Sequence, residues 1–166
     1  PMSDFVGVHR YNVTGLFHDM WGFPSDNPQI VHGLLRHLVD KIQSNVNQIT
    51  RYKEHYLNDA EIVLISYGSS ARSANHVVFS RRHRGEKLGL LELQTLWPFP
   101  YDLVREKCAK AKYIVVVEMN MGQIMQEVRK AVDQPEKVFL ANRIDGVFIT
   151  PTDIRNILRL IQGKGV

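Results

Sequence analysis

Two short stretches carry residue types and spacing that could do chemistry. Glu118-Met119-Asn120 closes an apolar run and is followed by Gly122 and a helical stretch from Gln123. A carboxylate where a strand meets a helix is placed to act as an acid or base. Its alternative roles are to cap that helix or to pair with a basic residue across an interface. Gly68-Ser69-Ser70 stands at a second strand-to-helix turn, with Arg72 just beyond it. Exposed amides at a helix N-terminus hold anions, so Gly68, Ser69, Ser70 and Arg72 are candidates for an anionic ligand. Capping and a subunit contact are the alternative for this turn. The sequence has no GxGxxG, no Walker lysine and no acidic residue placed after the second strand to bind a ribose, which argues against a dinucleotide site. Tyr67-Gly68-Ser69-Ser70 lacks the GxSxG spacing of a nucleophile elbow, and no Ser-His-Asp arrangement is visible.

The remaining candidates read as structural. His9, His18 and Asp19 could ligate a metal, but their spacing matches no familiar motif, and no metal site is expected. The single cysteine, Cys108, cannot form an internal disulfide or build a metal site alone, which fits a reducing compartment. Arg81-Arg82-His83-Arg84 contributes to the net charge of +4, yet no aromatics interleave with it. It reads as the solvated end of a helix, and nucleic-acid binding is not expected. Asn12-Val13-Thr14 matches a glycosylation acceptor but is discounted for want of a secretory signal. Trp97-Pro98-Phe99-Pro100 makes a rigid extended connection whose aromatics either pack locally or face another subunit. Pro100 suits the start of the helix that follows.

The elements that must position these residues alternate along the chain. Residues 1–27 hold His9, His18, Trp21, Gly22 and Pro24 without periodicity and read as an irregular arm. From Pro28, apolar residues at Ile30, Val31, Leu34, Leu35, Leu38, Val39 and Ile42 recur every three or four positions, predicting a long helix over 28–57 capped by Asp26 or Asn27. Residues 28–166 are taken as one domain headed by that helix. Strands are predicted at Ile62–Ile65, Lys87–Leu93, Ile114–Val117, Val138–Leu140 and Val147–Ile149. Helices are predicted over 70–82, 101–111, 123–132 and 152–161. Strands that are apolar on both faces and alternate with helices indicate an α/β fold: a mostly parallel five-stranded sheet covered on both sides, in three layers. The connection from Leu140 to Ile149 is too short for a crossover helix, so the last strand is expected to pair antiparallel.

With 166 residues and 44% hydrophobic content the chain can bury one substantial core. It holds no uncharged apolar stretch of the roughly 18 to 20 residues a membrane span needs. Its start carries no basic segment followed by an apolar run, and a cytoplasmic protein is expected. The chain opens Pro1-Met2, and since proline does not start translation, a piece of a longer protein is expected.

Several segments together resemble one family. These are Ile65-Ser66-Tyr67-Gly68-Ser69-Ser70-Ala71-Arg72, Lys87-Leu88-Gly89-Leu90-Leu91, Leu96-Trp97-Pro98-Phe99-Pro100 and Val115-Val116-Val117-Glu118-Met119-Asn120-Met121-Gly122-Gln123. In order and spacing they resemble the C-terminal domain of the α subunit of 2-oxoacid:ferredoxin oxidoreductases. The arm, Tyr11 to Asp19 and Gly22-Phe23-Pro24, resembles the link after that subunit's pyrimidine-binding domain, and Ile149-Thr150-Pro151 also resembles the family. Val13-Thr14-Gly15 and His18-Asp19 with Leu96-Trp97-Pro98 look more like the 2-oxoglutarate branch than the pyruvate branch.

The resemblance implies a fold similar to the C-terminal domain of transketolase. It implies oxidative decarboxylation of a 2-oxoacid with coenzyme A to acyl-CoA and carbon dioxide, electrons leaving through iron–sulfur clusters to ferredoxin or flavodoxin. Thiamine diphosphate with Mg would lie between the N-terminal domain of the α subunit and the β subunit, so this part is expected to bind no cofactor and to be inactive alone. Its implied partners are that N-terminal domain, the β subunit and further subunits including a ferredoxin-like one. Trp97, Phe99, Glu118 and Asn120 are the residues expected at an interface, and Gly68, Ser69, Ser70 and Arg72 those that could touch coenzyme A. The competing readings are the C-terminal domain of another thiamine enzyme and a free-standing α/β anion-binding module.

Overall fold

In the computed structural model, residues 6–8 and 14–163 are described, and they fall into two units divided between Asn45 and Val46. His9 and the Tyr11–Val13 part of the arm motif lie outside the described residues, and with them Asn12 and Val13 of the glycosylation match and Val13 of the branch signature.

The first unit holds the arm and helix α1, Pro28–Gln43. In the arm a tight turn forms because one carboxylate satisfies several amides: Asp19 Oδ1 accepts from Trp21 N at 2.9 Å and Phe23 N at 3.0 Å. The Asp19 amide in turn donates to the Phe23 carbonyl. His18 is engaged with Thr14 at 2.9 Å. Asn27 caps α1, its Oδ1 accepting from Gln29 N at 2.9 Å, and Pro28 takes the first helical position, where a missing N–H costs nothing.

The predicted helix over 28–57 is a correction. α1 stops at Gln43, a single turn α2 covers Val46–Ile49, and strand β1 runs Tyr52–His55. The apolar stripe ends at Ile42, and the polar residues beyond it offer no helical face to bury.

The second unit is the α/β domain. After β1 come β2 (Ile62–Tyr67), α3 (Gly68–Arg82), β3 (Leu88–Leu93), α4 (Tyr101–Cys108), β4 (Tyr113–Glu118), α5 (Gln123–Ala131), β5 (Val138–Asn142) and α6 (Pro151–Gly163). The sheet order is β1-β3-β2-β4-β5; β2, β3, β4 and β5 are parallel, and β1 runs antiparallel against β3. Five strands with one antiparallel is the expected sheet, but the odd strand is β1 at the opposite edge. Val147–Ile149 forms no strand. Val147 and Phe148 are exposed in the connection to α6, while Ile149 is buried under the sheet's second face.

Each parallel strand is buried on both sides. Val63, Ile65, Leu91, Ile114 and Val116 face α4 and α5, whereas Ile62, Leu64, Leu88, Leu90, Val115 and Val117 face α3 and α6. Successive strand residues point to opposite faces, which is why these strands read as unbroken apolar runs. Gly89 lets the β1–β2 connection cross the sheet closely. A Cβ there would meet Leu57 Cδ2 at 2.8 Å, the Tyr56 carbonyl at 2.8 Å and Ala60 Cβ at 2.9 Å.

Arg82 holds that connection from the other side, which corrects the reading of the basic run as a solvated helix end. Its guanidinium donates to the Leu88 and Tyr56 carbonyls, pairs with Asp59 at 2.8 Å and lies 5.3 Å from the centre of the Tyr56 ring. Tyr56 itself has φ +56°, a left-handed conformation that these contacts restrain. Arg81 pairs with Glu86. Two of the four basic residues are thus fastened to the fold. Among the described residues no helix is long and apolar enough to cross a membrane.

Candidate functional site

At β2 and β4, neighbours in the sheet, the chain leaves toward opposite faces: β2 runs into α3 on one side and β4 into α5 on the other. Open α/β sheets bind ligands in the crevice at such a point. Both stretches singled out by residue type, Gly68–Ser70 after β2 and Glu118–Asn120 after β4, meet here.

The polar groups of the β4 stretch are occupied, by Tyr67 and by the amides that open α5. Glu118 is fully buried, its Oε2 accepting from Ile124 N at 3.1 Å and its Oε1 from Met125 N at 3.1 Å, so the carboxylate caps α5. An anion against the first-turn amides of a helix is stabilised by their unpaired N–H groups and by the macrodipole. Tyr67 Oη donates to Glu118 Oε2 at 3.2 Å and accepts from Asn120 Nδ2 at 2.6 Å. Burial, then the Glu118 charge, push the Tyr67 phenol up to about 12, so it stays a neutral donor. Asn120 Oδ1 accepts from Gly122 N at 2.8 Å and Gln123 N at 3.1 Å, and its carbonyl accepts from Asn142 Nδ2 at 2.7 Å, which fastens the end of β5 to the same cluster. Gly122 adopts φ +98°, the left-handed bend that lets the chain turn from β4 into α5, with Leu140 and Met125 within 3.3 Å of where a Cβ would stand.

On the β2 side the anion candidates separate. Ser70 is buried and its hydroxyl donates to the Tyr67 carbonyl at 2.7 Å, while Ser66 donates to the Val117 carbonyl at 2.8 Å. These two serines tie β2 to β4 and leave Ser70 without a free hydrogen, which removes it as an anion donor. Ser69 is exposed, touching Met119 Sδ at 3.7 Å, and Arg72 is exposed. Gly68 opens α3 with φ +56°, and no side chain caps the helix.

Of the four residues expected at an interface, the structure withdraws two. Glu118 points inward as described, and Phe99 is buried against the α4/α5 core. Its edge-on contact with Tyr101, centroids 5.0 Å apart, fixes the start of α4. Asn120 is half-buried, and Trp97 is 72% exposed. Cys108, the last residue of α4, is buried in the core, and burial pushes its thiol up to about 12, which keeps it protonated. Sequence reasoning missed Tyr67, Ser66 and Asn142 as members of the cluster. Ser66, a polar residue ending an apolar strand with Ser70 four positions on, was the available signal.

The N-terminus of α5 does not fit a diphosphate. The buried Glu118 carboxylate already holds the α5 amides, and a second anion beside it would be repelled. The arrangement joins β2, β4, α5 and β5.

Residues 60–154 match the model of the pyruvate:ferredoxin oxidoreductase core domain II. The 2-oxoglutarate synthase subunit KorA of Methanocaldococcus jannaschii is 38% identical over 153 residues, 92% of this chain and 41% of that protein. The chain therefore spans about two-fifths of the length of this relative. Among solved structures, the 2-oxoglutarate:ferredoxin oxidoreductase from Magnetococcus marinus superposes with a TM-score of 0.78 at 22% identity, over 91% of this chain and 26% of that one. A split-gene transketolase superposes with a TM-score of 0.51 at 15% identity, over 65% of this chain and 40% of that one, so the transketolase-like fold is shared. By the family match over more than half its length, this chain belongs to the pyruvate:ferredoxin oxidoreductase core domain II family.

Proposed function

We propose that this chain is the organising domain of the α subunit of a thiamine diphosphate-dependent 2-oxoacid:ferredoxin oxidoreductase that converts 2-oxoglutarate and coenzyme A to succinyl-CoA and carbon dioxide, reducing ferredoxin. The observation that carries this reading is the closed switch point, where Tyr67, Glu118 and Asn120 satisfy one another and the α5 amides. A domain so built contributes rigidity, and rigidity matters because a displacement of about 1 Å at a reacting centre can cost about a hundredfold in rate. The substrate assignment rests on the relative whose name is 2-oxoglutarate synthase subunit.

On this reading thiamine diphosphate, Mg and the iron–sulfur clusters are held by the remainder of the α subunit, the β subunit and a ferredoxin-like subunit, with ferredoxin or flavodoxin as acceptor. Exposed Trp97 and half-buried Asn120 are the interface residues, and Gly68, Ser69 and Arg72 are the groups left to meet coenzyme A. The single cysteine fits a cytoplasmic, reducing location.

The test is to co-express the full α subunit with its β partner, purify the complex anaerobically, and follow coenzyme A-dependent viologen reduction with 2-oxoglutarate, pyruvate and 2-oxoisovalerate. Turnover with 2-oxoglutarate alone supports the whole reading. Preference for another acid overturns the substrate, and no turnover from a cofactor-loaded complex overturns the activity.

A further inference from the structure

We draw no further inference here: the strongest candidate, the row of exposed apolar side chains Trp97, Met121, Ile144 and Phe148 at the carboxyl edge of the sheet, is an unpartnered face, and nothing in the structure shows what covers it.

Discussion

Helix α1 and helix α3 treat apolar surface in opposite ways. α1 carries a long amphipathic stripe, yet it buries no residue, and Ile30, Leu35, Leu38 and Val39 stay exposed. α3 has no such stripe and is rich in serine and alanine, yet it buries Ser70, Ala71, Ala74, Val77 and Val78. Small residues let α3 lie close to a sheet that is itself apolar, so the sheet supplies the hydrophobic area. A stripe says which face a helix would bury; whether it does so depends on the surface opposite. The α/β domain supplies both halves of each contact, and the α1 stripe supplies one.

The largest loss is expected in the core of the α/β domain. Leu64→Ala, at the centre of β2 and fully buried, removes packing on the α3/α6 side. It is expected to cost about 2–5 kcal/mol, read as a lower midpoint in urea unfolding with an unchanged slope. A loss below about 1 kcal/mol would mean that the core relaxes around the cavity and does not hold its elements rigidly.

The next effect concerns the closed switch point. Glu118→Ala strands two α5 amides and the Tyr67 hydroxyl, for an expected loss of about 2–3 kcal/mol. Glu118→Gln keeps the volume and removes the charge, so the Tyr67 phenol should titrate below the value of about 12 it has beside the carboxylate. The sign follows from proton counts. Unfolded tyrosine ionises near 10, whereas folded Tyr67 keeps its proton to about 12, so the unfolded state binds fewer protons between those values. The Tyr67 contribution is complete below pH 10 and declines as the pH rises toward 12. NMR titration of the tyrosine ring carbons in the chain and in Glu118→Gln checks this; an unchanged Tyr67 titration would sever the link between the two groups.

Most of the domain was legible because its strands are apolar on both faces. Ile62–Ile65, Lys87–Leu93 and Ile114–Val117 were placed within a residue or two of their observed bounds, and three of the helices lie between strands as expected, with α6 closing the chain. β1 was not legible. Its sequence Tyr-Lys-Glu-His has no apolar alternation, because an edge strand exposed on one side tolerates charge, and its Lys53 and Glu54 discourage further pairing. Val147–Ile149 misled for the opposite reason: three β-prone residues look like a strand, but with no neighbouring strand only Ile149 is buried. At the candidate site the positions of Gly68–Ser70 and Glu118–Asn120 were legible from the strand ends. The bonds of Tyr67 to Glu118 and Asn120 were not, since they depend on β2 and β4 being adjacent, which the order of elements along the chain does not reveal.

Arg82 and Gly89 sharpen the comparison at the edge of the domain, where the β1–β2 connection crosses β3. Gly89→Ala places a methyl against backbone at 2.8 Å, contact that the Tyr56 carbonyl cannot avoid without shifting the connection. The expected loss is about 1–3 kcal/mol. Hydrogen exchange should show it concentrated in β1 and the connection, while β4 and β5 keep their protection. Loss spread evenly over the sheet would show that β1 is part of the cooperative core and not an attached edge.

The smallest effect on this chain comes from Leu35→Ser combined with Leu38→Ser in α1. Both side chains are exposed, at 43% and 44%, so the stability of the chain should change by no more than about 0.5 kcal/mol. If the proposed function holds, the expectation reverses in the full α subunit paired with its β partner. If the remainder of the complex covers the stripe, burying the part of each leucine still exposed contributes about 0.6–1.3 kcal/mol, and serine forfeits most of that. At 1.4 kcal/mol per tenfold, losing both weakens the covering contact by about tenfold. If the cover is the partner subunit, sedimentation should show the complex dissociating at concentrations where the unsubstituted one stays whole; if it is the rest of the α subunit, the loss appears as a lower unfolding midpoint of that subunit alone. A full complex indifferent to both substitutions would show that the stripe meets nothing, and a destabilised isolated chain would show that α1 already has its opposing surface.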